Sequence, residues 1–424
     1  MSKIIKKFLL PLLLLQAACS NTTDLELFPS EEVSIFAKNS DRNVSAIIKQ
    51  ENSEYQKRNP EIIKLKYQAM SESPFAFYRA TAYLFYKDVL NNPSLKSNIN
   101  IPIQGDLHLE NIGTYQTSDN RISYDLNDFD DAFVGSYTFD VLRCATSIRL
   151  AADESGLDGG DLVETFLKNY YKNIELFVQN PSLTKDSIPK NLLAKHSLNV
   201  VNEVSGLKYS SLLSEMKVVN GKFTETEKIK LIDSTLKSNI SKAITAYTSS
   251  KSKDMNFFRV KDSAYYIAGK GSLGRYRYAI LLEGASTKSD DDLIIEMKEA
   301  VQPSVASAGL KVTGSQASRV VDATKYFLTK PDTYFGKTSM GNSEYFVRLV
   351  YPNEKVDLTK LNKKQEFEDH LKVVSFIVAK AHAKSGKTKL ILQSQEQFDQ
   401  AIYDYSKEYF KIVKDDYKSF KNGD

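Results

Sequence analysis

The chain has 424 residues, 42% of them hydrophobic, enough to bury a sizeable core in one two-lobed unit or two domains. A formal net charge of +4, with no long Lys/Arg run, excludes a nucleic-acid-binding stripe. The 24 Tyr and 22 Phe, with no Trp, read as core packing and not as a stacking platform for bases.

The N-terminus reads as a targeting segment. Lys3, Lys6 and Lys7 are basic, and Phe8 through Leu15 form an apolar run too short to span a bilayer. Gln16-Ala17-Ala18-Cys19 then places small residues before a cysteine, which resembles a bacterial lipobox, although Leu is usual where Gln16 stands. The expectation is a signal peptide over 1–18, lipid on Cys19 and a membrane anchor through that lipid. Ser20 lacks the Asp that marks inner-membrane retention, so the place would be the periplasm or the outer membrane of the cell envelope. An ordinary secretory signal cut near Ala18 is the other reading. Only Cys144 remains after Cys19, so a lipidated Cys19 leaves no internal disulfide. Cys144 lies in an apolar helical pattern and reads as a buried thiol.

Residues 19–55 are polar and read as a tether with an early helix. Residues 60–92 are helical in pattern, with Phe75, Tyr78, Ala82 and Phe85 at helical intervals. Ile101-Pro102-Ile103 looks like a strand end, Thr117–Arg121 like a polar turn, and Ile122–Leu126 like a strand. Two helices follow over 138–178, parted by Asp158-Gly159-Gly160-Asp161. Residues 190–250 read as helical. Residues 257–350 alternate and are rich in strand formers, with strands around Ser263–Ile267, Tyr276–Leu282, Leu293–Lys298 and Ser343–Val350, and a helix over 314–328. From 362 the chain is helical to its end.

The chemistry concentrates between 104 and 131. Asp106 and Asn111 stand five positions apart, and Leu126-Asn127-Asp128-Phe129-Asp130-Asp131 delivers a second acidic group after a hairpin. Phosphoryl transfer of the kinase type needs this set: one Asp to orient the attacking hydroxyl, an Asn on a metal ion, and an Asp holding the metals on the phosphates. Asp106 is the candidate base, and Asn111, Asp128 and Asp130 are candidate Mg²⁺ or Mn²⁺ ligands. Like-charged carboxylates so close together favour a cation. His108 and Glu110 are read as loop-bracing or substrate-facing. Gly269, Gly271, Ser272 and Gly274 sit between strands, where glycines let backbone N–H groups approach the phosphates of ATP or another nucleotide. Lys298, on the next strand, is the candidate phosphate-contacting lysine, with Asp322 or Glu299 as candidate partner. Plain hairpin glycines and a surface lysine are the competing readings.

The run Gly105-Asp106-Leu107-His108-Leu109-Glu110-Asn111 resembles the catalytic loop of aminoglycoside and choline phosphotransferases. With its neighbours it is more similar to the bacterial domain of unknown function 2252 family. The resemblance also rests on Ser73–Arg79, Asp140–Arg143, Gly269–Gly274, Lys298–Ala300, Tyr345–Arg348 and Ala381–Gly386, in that order over roughly 55–410. Ala80, Lys387 and the pair Thr324-Lys325 depart from the family pattern. Arg79, Arg143, Arg348 and His382 match its motifs as candidate lobe braces. The resemblance implies a kinase-like architecture. Because the Gly-rich hairpin and Lys298 follow the catalytic loop, the fold expected is α+β, protein-kinase-like, two-lobed and circularly permuted. A helical large lobe over 56–255 would be completed by C-terminal helices over 356–424, around a small antiparallel β lobe over 256–355. The function expected is a monomeric, nucleotide- and metal-dependent phosphotransferase acting on a hydroxyl of a small molecule or envelope component. The rival is a non-catalytic nucleotide- or metal-binding module, and a metal-dependent phosphoesterase stands third.

Overall fold

The computed structural model describes residues 42–251, 259–269, 271–284, 286 and 288–423. The signal segment and Cys19 lie outside the described residues, as does Lys270. Five short helices open the described chain: α1 (Val44–Glu51), α2 (Ser53–Arg58), α3 (Pro60–Met70), α4 (Pro74–Ala80) and α5 (Ala82–Val89). Their breaks are set locally. The Asn59 side chain accepts from Ile62 N, and Ser73 accepts from Ala76 N, each just ahead of a proline at the first helical position. A proline there fixes φ and gives up an N–H that no helix bond needs, so the 60–92 helical pattern divides cleanly.

Four short strands carry the acidic loops: β1 (Asn100–Ile103), β2 (Ile112–Gln116), β3 (Ile122–Leu126) and β4 (Phe133–Ser136). β2 and β3 form an antiparallel hairpin, while β1 pairs antiparallel with β4. The loop leaving β1 and the segment entering β4 therefore run side by side. At Gly105, with φ +83°, a Cβ would lie 2.0 Å from the Asp131 carbonyl oxygen. Only glycine allows both that backbone and that contact.

The helices α6 (Tyr137–Glu154) and α7 (Gly159–Gln179) follow, the second capped by Asp158, and then α8 (Lys195–Gly206) and α9 (Tyr209–Glu215). Cys144 is buried on α6 as a free thiol, and burial pushes its pKa up. The 190–250 segment is not helical throughout. β5 (Val218–Val219) and β6 (Lys222–Phe223) form a tight hairpin over Asn220-Gly221, both at positive φ. β7 (Ile229–Lys230) and α10 (Ser234–Ser249) come next. Asn-Gly is the turn that matches strand twist, and here it overrides the helical pattern around it.

The strand-rich segment supplies β8 (Val260–Tyr266), β9 (Arg277–Leu282), β10 (Leu293–Glu299), α11 (Gln316–Phe327), β11 (Gly336–Met340) and β12 (Ser343–Leu349). They build one six-stranded antiparallel sheet in the order β11-β12-β10-β9-β8-β7. The sheet thus draws in β7 and α10, ahead of residue 256. Alternation along β9 sorts its faces. Tyr278, Ile280 and Leu282 pack with Ile240, Ile244 and Tyr247 of α10, while Ala279 and Leu281 pack with Leu212, Leu213 and Phe223. α11 lays Ala317, Val320 and Val321 against Phe346. The last helices are α12 (Lys364–Ala383), α13 (Thr388–Gln393) and α14 (Gln395–Asn422). α12 packs along α7 and α14 along α6, so the helical part is assembled from chain on both sides of the sheet. The fold is mixed α+β with small antiparallel sheets. Among the described residues no helix is long and apolar enough to cross a membrane.

Candidate functional site

A polar cavity of about 210 Å³ opens where the β1 loop, the segment before β4, the β8–β9 turn, the N-terminal helices and residues 301–307 meet. Asp106, Asn111, Asp128, Asp130, Gly269, Gly271 and Ser272 all line it, from segments more than 130 residues apart in sequence. Gly274 does not line it. With φ +101° it packs instead on Tyr55 and Ile63, where a Cβ would meet Tyr55 at 2.7 Å.

The loop holding Asp106 is fixed from three directions. The Asp140 carboxylate of α6 accepts from Gln104 N at 2.7 Å and Gly105 N at 2.9 Å. Arg143, one helical turn on and wholly buried, donates Nε to Asp106 Oδ1 at 2.7 Å and stacks its guanidinium over Tyr78. Asn111 donates Nδ2 to the Asp106 carbonyl at 2.9 Å. That bond occupies the amide nitrogen and leaves Oδ1 as the atom able to ligate a cation. Burial pushes the Asp106 carboxyl up to about 7, against the pull of Arg143, with Asp131 and Asp128 adding to the rise.

His108 is buried with its ring edge against Phe75, and burial together with Arg79 and Arg143 holds it neutral. Its Nε2 stands 3.9 Å from Asp106 Oδ2, outside hydrogen-bond range. Glu110 is taken up by Arg79 and Lys355, which makes it a brace of the loop.

The acidic pair divides in two. Asp130 is ion-paired with Lys298 of β10 and, at 2.8 Å, with Arg275. Burial opposes its ionisation, but those cations outweigh burial and hold its carboxyl well below the usual range. Asp130, expected as a metal ligand, is the ion-pair partner of Lys298, the place expected for Asp322 or Glu299. Glu299 points the other way along the strand and pairs with Arg58 at 2.8 Å. The physical reason is on α11, which carries Arg319 toward the site. Its guanidinium donates to the carbonyls of Asp130, Ala132 and Val301, while Asp322 on the same helix is exposed. Asp128 has no ion pair among the described residues, and its pKa is raised by burial and by Asp130.

No group of three or more His, Cys, Asp or Glu side chains is gathered as a ligand set among the described residues. Asn111 and Asp128 remain as oxygen donors in the cavity wall. Two protein oxygens with substrate phosphates and water suit Mg²⁺, which rarely takes an all-protein cage.

Of the other motif arginines, Arg348 pairs with Glu296, which also holds Arg277, and these charges brace the sheet face beside Lys298. His382 contacts Tyr170 at 2.8 Å and faces Asp140 at 3.4 Å, behind the loop. Arg143 does more than brace helices, because it is bonded to the candidate base itself. The signal for it was present: it is a lone arginine in the apolar stretch Val141-Leu142-Arg143-Cys144-Ala145. Lys66 and Arg319 went unnoticed, since one basic residue on a polar helix face looks like any other.

Over residues 58–423 the chain matches a family of bacterial proteins described as an uncharacterized protein conserved in bacteria (DUF2252). The chain belongs to this family. The match takes in every cavity-lining segment except the end of α1 and Tyr55. Comparison with curated proteins and with solved structures gave no match.

Proposed function

We propose that this DUF2252 member is a metal-dependent phosphotransferase with a circularly permuted, protein-kinase-like arrangement. It would move a phosphoryl group from ATP or another nucleotide to a hydroxyl of a small molecule or envelope component, acting as a lipid-anchored envelope protein. One observation carries the reading. Asp106, Asn111 and Asp128 line a single cavity with the Gly269–Ser272 turn, and Lys298 reaches its edge through Asp130. Those parts come from both sides of a permuted chain order, and phosphoryl transfer is the chemistry that uses them together.

In this reading Asp106 takes the proton of the acceptor hydroxyl as its oxygen bonds to phosphorus and the bond to the leaving nucleoside diphosphate breaks. Arg143 keeps Asp106 oriented, and Asn111 ties the loop to the Asp106 carbonyl. A divalent ion would be held by Asn111 and Asp128 and would neutralise charge on the phosphates. Lys298 and Arg275 supply positive charge at the edge of the turn.

A second reading is a nucleotide- or metal-binding module without turnover. The pairing of Lys298 with Asp130, where a working site frees both for ligand, favours it. The test is thermal shift and labelled-nucleotide turnover on the mature protein, with Mg²⁺ or Mn²⁺, against envelope extracts. Stabilisation with turnover supports the enzyme, and stabilisation alone supports the module. A ligand at 100 times its Kd adds about 2.7 kcal/mol. No shift with any nucleotide, with or without metal, ends both readings.

A further inference from the structure

The cavity wall contributed by α3 holds a lysine that none of the roles above uses. Lys66 is 5% exposed and lines the cavity, yet it has no ion pair among the described residues. Its Nζ donates to Asn52 Oδ1 at 2.9 Å, and Asn52 is oriented by its own Nδ2 bond to the Ile48 carbonyl at 2.8 Å. The carboxylates around it are engaged elsewhere. Glu51 accepts from Ser307 Oγ at 2.6 Å and faces Lys87, and Asp131 accepts from Ser304 N. The other neighbours are the Tyr55 ring at 6.0 Å and Arg275. Tyr83 Oη, on α5 and in the same wall, is buried beside Asn52 and makes no hydrogen bond of full geometry among the described residues.

An ammonium buried beside an amide oxygen, with two donor positions unspent, is costly unless an anion completes it. We infer that Lys66, with Tyr83 and Arg275, forms a subsite for an anionic phosphate group of the ligand that enters this cavity. The inference deepens the phosphotransferase reading by assigning a ligand contact to α3. A phosphate on the nucleotide and one on the acceptor share this chemistry. Burial and Arg275 lower the Lys66 pKa to about 7, with Asp131 and Glu51 opposing. A bound anion favours the charged form, so binding near pH 7.5 takes up a proton.

The experiment is titration calorimetry on the mature protein with orthophosphate, pyrophosphate, ATP and adenosine, in two buffers of different ionisation enthalpy. Lys66→Met keeps the length of the side chain and removes the charge. Asn52→Asp keeps the lysine but supplies an internal counter-ion. Both should weaken the phosphate-bearing probes roughly 10- to 100-fold, the worth of a charge-assisted hydrogen bond, and should lose the proton uptake. Adenosine should bind them as it binds the wild type. Orthophosphate that still binds in saturating ATP places the subsite on the acceptor, and competition places it on the donor. Phosphate probes bound equally by the wild type and a folded Lys66→Met protein overturn the inference while leaving a nucleotide site standing. Phosphate bound through Lys66 without any nucleotide affinity keeps the subsite and ends the phosphotransferase reading. A wild type that binds none of the probes overturns both.

Discussion

Lys380 of α12 and Asp125 of β3 form an ion pair with each side chain 1% exposed, linking the C-terminal helices to the hairpin that carries the acidic segment. Asp125 Oδ1 also accepts from Leu126 N at 3.0 Å, and Lys380 reaches the Asp186 carbonyl at 3.5 Å. Lys380→Met preserves volume but leaves a carboxylate buried with one short-range backbone bond. Breaking one side of such a pair costs about 3–5 kcal/mol, a large part of the roughly 5–15 kcal/mol that holds most folded proteins. Asp125→Asn should cost less, because an amide keeps an acceptor and loses the charge. The double variant should cost well under the sum of the two single costs, with a coupling of about 1–3 kcal/mol, since neither charge is then stranded. Urea unfolding at pH 7, followed by circular dichroism, gives all four stabilities of the cycle. A Lys380→Met cost under about 1 kcal/mol, or strict additivity, would refute the claim that this pair ties the C-terminal helices to the hairpin.

Four further outcomes can be checked, three of them at the site. Asp106→Asn should cut phosphoryl transfer roughly 10²- to 10⁴-fold in the labelled-nucleotide assay while nucleotide binding survives. Because the Asp106 carboxyl stands at about 7 and acts only when deprotonated, wild-type kcat/KM should climb with pH through that value; a rate flat between pH 6 and 8 would remove it as the base. Asp128→Asn should weaken Mn²⁺ binding in calorimetry far more than Asp130→Asn does, as Asp130 is already committed to Lys298 and Arg275. Cys19→Ser should release the protein from membranes on fractionation, and unchanged sedimentation with membranes would point to another mode of attachment.

What could be read ahead of the structure was whatever a local pattern encodes. The helical pattern over 60–92, the buried thiol of Cys144 and the strand alternation of Tyr278–Leu282 each follow from a few neighbouring residues, while the breaks at Asn59-Pro60 and Ser73-Pro74 carried an equally local signal that the helical pattern hid. The Asn220-Gly221 hairpin was equally local and was missed, because a two-residue turn signal was outvoted by the helical pattern on either side. Residue identities in the cavity were legible for the same reason: a loop keeps Asp106 and Asn111 in register whatever surrounds it.

Pairings across the chain were not legible, and they decide what each charge does. Sequence placed two carboxylates two residues apart and could not say that the sheet would deliver Lys298 and Arg275 to one of them only. It left Asp322 and Glu299 unranked as partners for Lys298; α11 turns Arg319 inward, and three backbone carbonyls around Asp130 absorb that cation. The division follows from electrostatics. With Lys298, Arg275 and Arg348 near it, Asp130 ionises readily despite burial, and its charge then raises the cost of ionising Asp128 beside it. Among the described residues, the carboxylate left without an ion pair is Asp128, which lines the cavity with Asn111. A divalent ion there would relieve the repulsion that the pairing of Asp130 creates, so the ion pair and the proposed metal position are two consequences of one arrangement of charge.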